Sequence, residues 1–171
     1  APIKDATVIL VLSGTNVQIS NGVLPEWAMR QAQTATTAAD GSFSFPPQRD
    51  AYELAVVADA GYAQESREDL KKDPIIKLTA WAKITGSARR GTKPDAGIQI
   101  QGWSNRSYQQ NQPNVMWGIN AVADAQGKFK INRVNAAMFS IGRQLQLGAN
   151  SSTTVSSVTL TTKPGQTATI Q

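Results

Sequence analysis

The polar stretch 102–118, GWSNRSYQQNQPNVMWG, holds the side chains best suited to binding a ligand. Trp103 and Trp117 stand near its two ends, and Arg106 and Tyr108 lie between them. Aromatic faces stack on sugar rings, while Asn and Gln amides hydrogen-bond to hydroxyl groups. These four residues are therefore a candidate carbohydrate site. In the alternative interpretation, Trp117 packs in the core and the rest of the stretch is an ordinary loop.

Few residues of this chain could carry out catalysis. The sequence has no His and no Cys, so it lacks the commonest general base, a thiolate nucleophile and the usual zinc ligands. Asp40, Asp59 and Asp124 are expected to shape turns, because they lack the close spacing of a calcium loop. The glutamates are interpreted as solvated surface residues. We predict no catalytic residue, no metal site and no cofactor, and an enzyme with an Asp/Glu site is the third alternative.

The charge pattern bears on the choice of partner. The net charge is +5, but the basic residues are dispersed, with Lys71-Lys72 and Arg89-Arg90 as the adjacent pairs. A nucleic-acid-binding protein concentrates its positive charge on one face, so no nucleic-acid partner is predicted. No apolar run approaches the length of a membrane span. A protein or glycan partner is the remaining expectation.

The chain repeats a phrase, because AADGSFSFPP at 38–47 is followed by DAQGKFKINR at 124–133. In both phrases a turn glycine, Gly41 or Gly127, stands two residues before a phenylalanine. Further matches follow in the same order: Asp5-Ala6-Thr7-Val8 with Asp95-Ala96-Gly97-Ile98, Trp27 with Trp117, YELAVV (52–57) with FSIGRQ (139–144), and IIKL (75–78) with TATI (167–170). Such an ordered series predicts a tandem repeat, with copies at 1–79 and 80–171.

Short strands with alternating apolar residues are predicted in both copies, each with one buried face. The expected core is Val8, Leu10, Phe43, Phe45, Tyr52, Leu54, Val56, Ile76 and Leu78 in the first copy, and Ile84, Ile98, Ile100, Phe129, Ile131, Phe139, Ile141, Val158 and Leu160 in the second. Frequent turns between short strands indicate a sandwich or barrel. A short helix is predicted at 66–72, capped by Ser66, and 75–88 is predicted as nearly continuous strand.

The two copies differ at their start. The second copy opens with a predicted strand at 81–88, ahead of a turn at 89–93. The first copy has Ala1 alone ahead of the equivalent Pro2, so its opening strand is expected to be missing. Either residues upstream were removed or another segment fills the gap, since an unfilled gap would leave an exposed sheet edge.

These strand and turn motifs resemble a known family. In the second copy WAKITGSA, KPDAGIQIQ and ADAQGKFKINRVNAAMFSIG, and in the first copy PIKDATVIL, TAADGSFSFP and LAVVADAGYA, are similar to the carboxypeptidase regulatory-like domain. The closing TLTTKPGQTATI extends the resemblance over nearly the whole chain. The resemblance implies a transthyretin-like (prealbumin-like) Greek-key β-sandwich. It also implies an accessory, non-catalytic role in a secreted or surface protein.

Relatives on similar folds that carry chemistry need residues that this chain lacks. Transthyretin-like hydroxyisourate hydrolases depend on histidines and a C-terminal Tyr-Arg-Gly-Ser, and intradiol dioxygenases bind iron through tyrosines and histidines. Collagen-adhesin B-type domains form a Lys–Asn isopeptide bond; Lys83 lies in a suitable opening strand, but the closing QTATIQ offers no Asn. The resemblance therefore does not extend to these activities.

The sequence thus predicts an all-β chain of two transthyretin-like β-sandwich domains in tandem. The expected function is a non-catalytic interaction or spacer module of a larger secreted or cell-envelope protein, located outside the cell, in the periplasm or at the cell surface. The alternative is a carbohydrate-binding module that uses the aromatic-rich loop 102–118.

Overall fold

The computed structural model describes residues 1–29, 32–105, 108–148 and 151–170. The described residues are nearly all in strands or their connections, so the predicted all-β class is confirmed. In chain order the elements are β1 (Thr7–Leu12), β2 (Asn16–Ser20), α1 (Glu26–Met29), β3 (Gln33–Thr36), β4 (Tyr52–Ala58), β5 (Gly61–Ser66), α2 (Arg67–Lys72), β6 (Ala82–Ser87), β7 (Arg89–Arg90), β8 (Lys93–Pro94), β9 (Gln99–Ser104), β10 (Asn114–Val122), β11 (Lys128–Val134), β12 (Met138–Gly148), β13 (Ser151–Thr161) and β14 (Thr167–Ile170). Neither described helix is long and apolar enough to cross a membrane.

The chain divides into two compact units. Unit 1 comprises Ala1–Ala80 and Arg106–Met116, and unit 2 comprises Trp81–Asn105 and Trp117–Gln171. The stretch predicted as one loop, 102–118, is therefore shared between the units. Whether the repeat boundary lies between residues 79 and 80 stays a prediction.

Unit 1 is built on an antiparallel sheet in the order β3-β1-β4-β5. One face of this sheet carries a core that includes Val8, Leu10, Leu54 and Val56. Two extended segments outside the strands pack on this core, and they contribute Phe43, Phe45, Ile76 and Leu78. The strand β2 is the neighbour of β10 in the sheet order, and β10 itself begins in unit 1.

The central strands of unit 1 are buried on both faces. In β1, Ile9 and Val11 are as fully buried as Val8 and Leu10, which point the other way, and β4 has four consecutive buried residues. The prediction of one buried face is therefore wrong for these two strands. Their unbroken apolar runs fit a strand that is covered on both sides, whereas alternation is typical of strands with one solvated face.

Unit 2 contains two facing layers. One is the antiparallel series β10-β9-β12-β13, and the other is β11-β6-β14, in which β14 runs parallel to β6. A single apolar cluster joins the layers and includes Ile84, Ile100, Phe129 and Ile141. In β11 and in the first part of β12, buried and exposed residues alternate as predicted.

The two units repeat the same four-stranded order, because β3-β1-β4-β5 corresponds to β10-β9-β12-β13. Backbone hydrogen bonds fix the correspondence: Asp5 N donates to Thr37 O, as Gly97 N donates to Ala123 O. Thr37 N then donates to Ala6 O, as Ala123 N donates to Ile98 O. Asp5 and Gly97 both have a positive φ, of 61° and 75°.

This correspondence corrects two of the sequence matches. Asp5 is equivalent to Gly97 rather than to Asp95, and Asp95 takes the place of Ile3. Trp27 lies exposed in α1, whereas Trp117 lies buried in β10, so the two tryptophans are not equivalent. Residue identity favoured both matches, but backbone conformation and hydrogen bonding decide the register.

The repeated phrase forms the same turn in both units. Ala38 N donates to Ser42 O at 2.9 Å, and Asp124 N donates to Lys128 O at 2.8 Å. In each turn the glycine N–H donates back three residues, from Gly41 to Ala38 and from Gly127 to Asp124, at 2.9 Å. Both glycines have positive φ angles, which other residues adopt at a cost.

The helix predicted at 66–72 is confirmed as α2, with the Ser66 side chain accepting a hydrogen bond from Asp69 N. The continuous strand predicted at 75–88 is wrong, since the described strand in this range is β6 and Thr79 makes an isolated bridge to Tyr62. A segment rich in β-branched residues can be extended without pairing to a neighbouring strand. The sequence of the segment alone does not identify the strand that would pair with it.

Most predicted core residues are buried or pack on the core. The half-buried members are Phe43, Phe45, Tyr52, Ile76, Leu78, Ile98 and Leu160. The prediction that Val158 lies in the core is wrong, because 44% of its surface is exposed. It pairs with the buried Ile141 but lies on β13, the outermost strand of its layer, where it lines an open cavity of about 270 Å³.

Candidate functional site

The stretch 102–118 consists mainly of strand ends. Trp103 lies in β9 and Trp117 in β10, so both tryptophans are held by sheet pairing rather than by a loop. Gly118 is the direct partner of Trp103 across the two strands. Because neighbouring residues of a strand point to opposite faces, Trp103 and Trp117 project from opposite sides of the sheet.

The four predicted site residues are therefore not brought together. Trp117 is 4% exposed and packs edge-to-face on Trp81, with ring centroids 6.1 Å apart. Trp103 is 40% exposed and belongs to unit 2, whereas Tyr108 is 64% exposed and belongs to unit 1. Arg106 lies outside the described residues. The burial of Trp117 thus agrees with the alternative interpretation, in which it packs in the core. Trp103 and Tyr108 remain as exposed aromatic residues.

The amides of this stretch are partly used to build its own turn. Asn114 Oδ1 accepts from Gln109 N at 3.1 Å, and Asn114 Nδ2 donates to the backbone oxygens of Gln109 and Gln112 at 2.9 and 2.8 Å. Asn114 N also donates to Thr15 O, which ties the segment to the turn after β1. Asn114 is buried, so it holds the chain in shape rather than presenting a group to a ligand.

Trp103 lies on a broad sheet face made by β10, β9, β12 and β13. Across it, Gly118, Trp103, Ser140 and Thr159 lie side by side. The outward positions are Gln99, Gln101 and Trp103 on β9, Gly118, Asn120 and Val122 on β10, Met138, Ser140, Gly142, Gln144 and Gln146 on β12, and Ser152, Thr154, Thr159 and Thr161 on β13. None of these described outward positions is charged. We call this surface the uncharged face.

The indole of Trp103 rests against the sheet. A Cβ added to Gly118 would come within 2.6 Å of Trp103 Cζ3, so the absent side chain makes room for the ring. Around it, hydroxyls and amides are joined in pairs: Gln101 Nε2 donates to Thr154 Oγ1 at 2.7 Å, and Ser140 Oγ donates to Asn105 Oδ1 at 2.9 Å. An aromatic platform among uncharged donors and acceptors suits a neutral, hydroxyl-rich ligand.

An ion cluster around the buried Asp95 in unit 2 was missed by sequence reasoning. The side chain of Asp95 is 8% exposed, and its Oδ1 and Oδ2 contact Arg90 Nη2 at 3.1 Å and Arg143 Nη1 at 3.2 Å. Arg143 Nη1 also donates to Arg89 O at 3.2 Å. Both carboxylate oxygens are thus occupied by guanidinium groups, which makes the cluster a structural connection between the 89–95 turn and β12. The Arg89-Arg90 pair was a possible signal, but solvation explained it equally well.

The exposed carboxylates of α2 are held in their ionised form. The hydrogen bond from Lys71 lowers the pKa of Glu68, and the hydrogen bond from Ser66 lowers the pKa of Asp69. A general acid needs the opposite shift, toward a raised pKa. Within the described ranges, no group of three or more acidic, His or Cys side chains is placed to hold a metal ion.

Comparison with protein-family profiles finds no match, and comparison with curated proteins finds none either. Among solved structures, the chain is similar to the crystal structure of GBS52, the minor pilin in the gram-positive pathogen Streptococcus agalactiae. The two share 12% sequence identity with a TM-score of 0.43, over 99% of this chain and 82% of that one. This likeness is too weak to define a family or a function.

Proposed function

We propose that this chain is a non-catalytic interaction or spacer module of a larger secreted or cell-envelope protein. In this proposal it consists of two carboxypeptidase regulatory-like, transthyretin-like sandwiches, with repeats at 1–79 and 80–171. The observation that carries it is the repeated β-sheet order with its repeated Gly41 and Gly127 turns. Serial copies of one sandwich are an architecture of spacers and stalks, and this step is an analogy at the level of fold.

The proposal places the protein outside the cell, in the periplasm or at the cell surface, with a protein or a glycan as partner. Its motif resemblance to accessory domains of secreted proteins supports this placement. The ionised surface carboxylates of α2 and the paired Asp95 also fit a module whose polar groups serve solubility and stability.

A spacer must carry load, which gives a direct test. When a single molecule is pulled from its two ends, we expect unfolding events that resist extension, because the chain is built on hydrogen-bonded sheets. Force spectroscopy with an atomic force microscope or optical trap measures this. Smooth extension without force peaks would contradict the spacer role.

A second candidate function is carbohydrate binding, and one observation favours it. Trp103 lies partly exposed over Gly118 on the uncharged face, with the Ser140 hydroxyl on the neighbouring strand and the Gln101 amide two residues along its own strand. The site differs from the one predicted from the sequence, because Trp117 is in the core and Tyr108 belongs to the other unit. In this version of the hypothesis a sugar ring stacks on Trp103 alone.

A glycan-array screen separates the two functions. If the chain binds a glycan, Trp103→Ala is expected to weaken binding about tenfold or more, since aromatic stacking and burial are lost. The matched control is Val122→Ala, another exposed residue of the uncharged face, and Tyr108→Ala tests the original four-residue site. Binding that survives Trp103→Ala would contradict the site, and silence across the array would leave the spacer proposal standing.

A further inference from the structure

The second layer of unit 2 shows how one strand completes a sandwich. The strand β6 lies between β11 and β14, pairing antiparallel with one and parallel with the other. Ile84 stands opposite both Ile131 and Ala168. Ala82 and Ile84 are completely buried, because their side chains enter the core between the two layers.

Unit 1 has the outer members of this layer without a central strand. The shared turn makes 43–45 equivalent to the start of β11. The sequence match of IIKL with TATI pairs 76–78 with β14. Among the described residues, no strand lies between these segments or pairs with them. The backbone N–H and C=O groups of Phe43, Ser44, Phe45, Ile76, Lys77 and Leu78 make no hydrogen bond within the described structure.

Unpaired extended backbone is unusual beside an apolar core, because polar backbone groups there are normally hydrogen-bonded. The two segments lie at the surface, since Ser44 and Lys77 are exposed and their neighbours are half-buried. The same alignment of groups is what a sheet offers to an added strand. Both segments pack on the same apolar core of unit 1. We call the unpaired backbone edges of these two segments the strand-accepting slot.

Side-chain burial leads to the same conclusion. In unit 2, Phe129 and Ile131 are 7% and 3% exposed, whereas the equivalent Phe43 and Phe45 are only half-buried. A cavity of about 320 Å³ lies along the Phe43 segment and reaches Leu10 and Leu54. In unit 2 Ala82 and Ile84 belong to the same apolar cluster as Phe129 and Ile131, and unit 1 has no described strand that contributes such residues.

We propose that unit 1 accepts an added β-strand in this slot, contributed by polypeptide joined ahead of Pro2. The strand runs antiparallel to 43–45 and parallel to 76–78, as β6 does in unit 2. Its inward positions carry small or aliphatic side chains, following the pattern Ala82, Ile84, Gly86 and Ala88. This inference goes beyond the proposed function, because it rests on the repeated topology and holds for any role of the chain.

The connection to Pro2 comes from the turn geometry. A Cβ on Gly41 would approach Pro2 Cα and Ile3 N at 3.4 and 3.5 Å, and one on Gly127 would approach Pro94 Cα and Asp95 N, both at 3.3 Å. Pro2 is thus the equivalent of Pro94. In unit 2 the chain passes from β6 through β7 and β8 to Pro94, so the missing strand is expected to lead into Pro2 by the same route.

The test uses the chain's own β6 as the added strand. Residues 81–93 are joined directly ahead of Pro2 in the full chain, and a control carries the same added segment with Ile84→Asp in the added copy. We expect the chimera to slow amide hydrogen exchange at 43–45 and 76–78 by about tenfold or more and to raise the unfolding midpoint of unit 1. The control is expected to match the original chain, because a carboxylate cannot enter the core without a partner.

Each other outcome would overturn the proposal. Equal exchange in the chimera and its control would show that the slot accepts no strand. Protection at residues other than 43–45 and 76–78 would show that the added segment docks elsewhere. Protection by the free 81–93 peptide together with none in the chimera would mean that the strand does not come from polypeptide joined ahead of Pro2.

Discussion

Replacing Gly127 with alanine is expected to lower the free energy of unfolding of unit 2 by at least about 2 kcal/mol. Gly127 has a φ of 73°, which costs other residues about 1–3 kcal/mol. A Cβ at this position would also collide with the backbone oxygen of Ala88. That oxygen cannot easily move, because it accepts from Asp95 N at 3.0 Å while Ala88 N donates to Gly127 O at 2.7 Å.

Gly165→Ala is the matched control for this change. Gly165 has a similar φ of 69°, but a Cβ there would meet nothing within 4 Å. The control therefore carries the conformational cost without the collision, and we expect it to lose about 1 kcal/mol. Chemical denaturation of the two variants measures the difference. Equal losses would show that the Ala88 contact contributes nothing.

Arg143→Met is expected to destabilise unit 2 by about 3 kcal/mol, because it leaves the buried Asp95 with one partner fewer. Arg143 is itself mostly buried, with 27% of its side chain exposed, and it holds both Asp95 and the backbone oxygen of Arg89. Breaking a buried pair costs more than the pair contributes, since the remaining charge loses its compensation. Denaturant unfolding again provides the measurement.

Two further variants test this explanation. Arg90→Met is expected to cost less than about 1 kcal/mol, because the Arg90 side chain is 74% exposed and its ion pair is screened by water. The double variant Asp95→Leu with Arg143→Met should recover much of the loss, since an apolar pair replaces a buried ionic one. In unit 1 the position equivalent to Asp95 is occupied by the apolar residue Ile3, as in the proposed replacement. A double variant as unstable as the single one would refute the role assigned to Asp95.

Local features of the fold were predictable from the sequence. The turns at Gly41 and Gly127 follow from a glycine placed between an aspartate and a segment of alternating apolar residues, and the α2 cap follows from Ser66 and Asp69. These features depend on neighbours within a few residues, so the information lies in a short window.

The register between the copies was not predictable in the same way. Matching Asp5 with Asp95 follows residue identity, but Asp5 adopts a positive φ that Gly97 adopts in unit 2. Aspartate tolerates that conformation better than most residues, so an Asp and a Gly can serve the same backbone position. The burial of Asp95 follows from the corrected register, and no local pattern signals it.

In the candidate site, too, local features were predictable from the sequence and long-range pairing was not. Trp103 stands out in the sequence as an aromatic residue among amides, and the structure leaves it partly exposed. Its separation from Trp117 depends on the pairing of Trp103 with Gly118, which is set by long-range sheet register. The uncharged face is assembled from four strands distributed over residues 99–161, so sequence windows could not reveal it.

Unit 1 is made of two separate segments of the chain, and this sets an order of events during protein synthesis. Its segment Arg106–Met116 is made after 81–105, which belongs to unit 2. A nascent chain therefore cannot finish unit 1 when Ala80 leaves the ribosome, although domains commonly fold one after another as they emerge. It must wait for Met116, and by then β6 and β9 are already exposed without β11, β12 and β14, their partners from later in the chain. Two unfinished units thus coexist on the ribosome, and the strands made last complete the second of them.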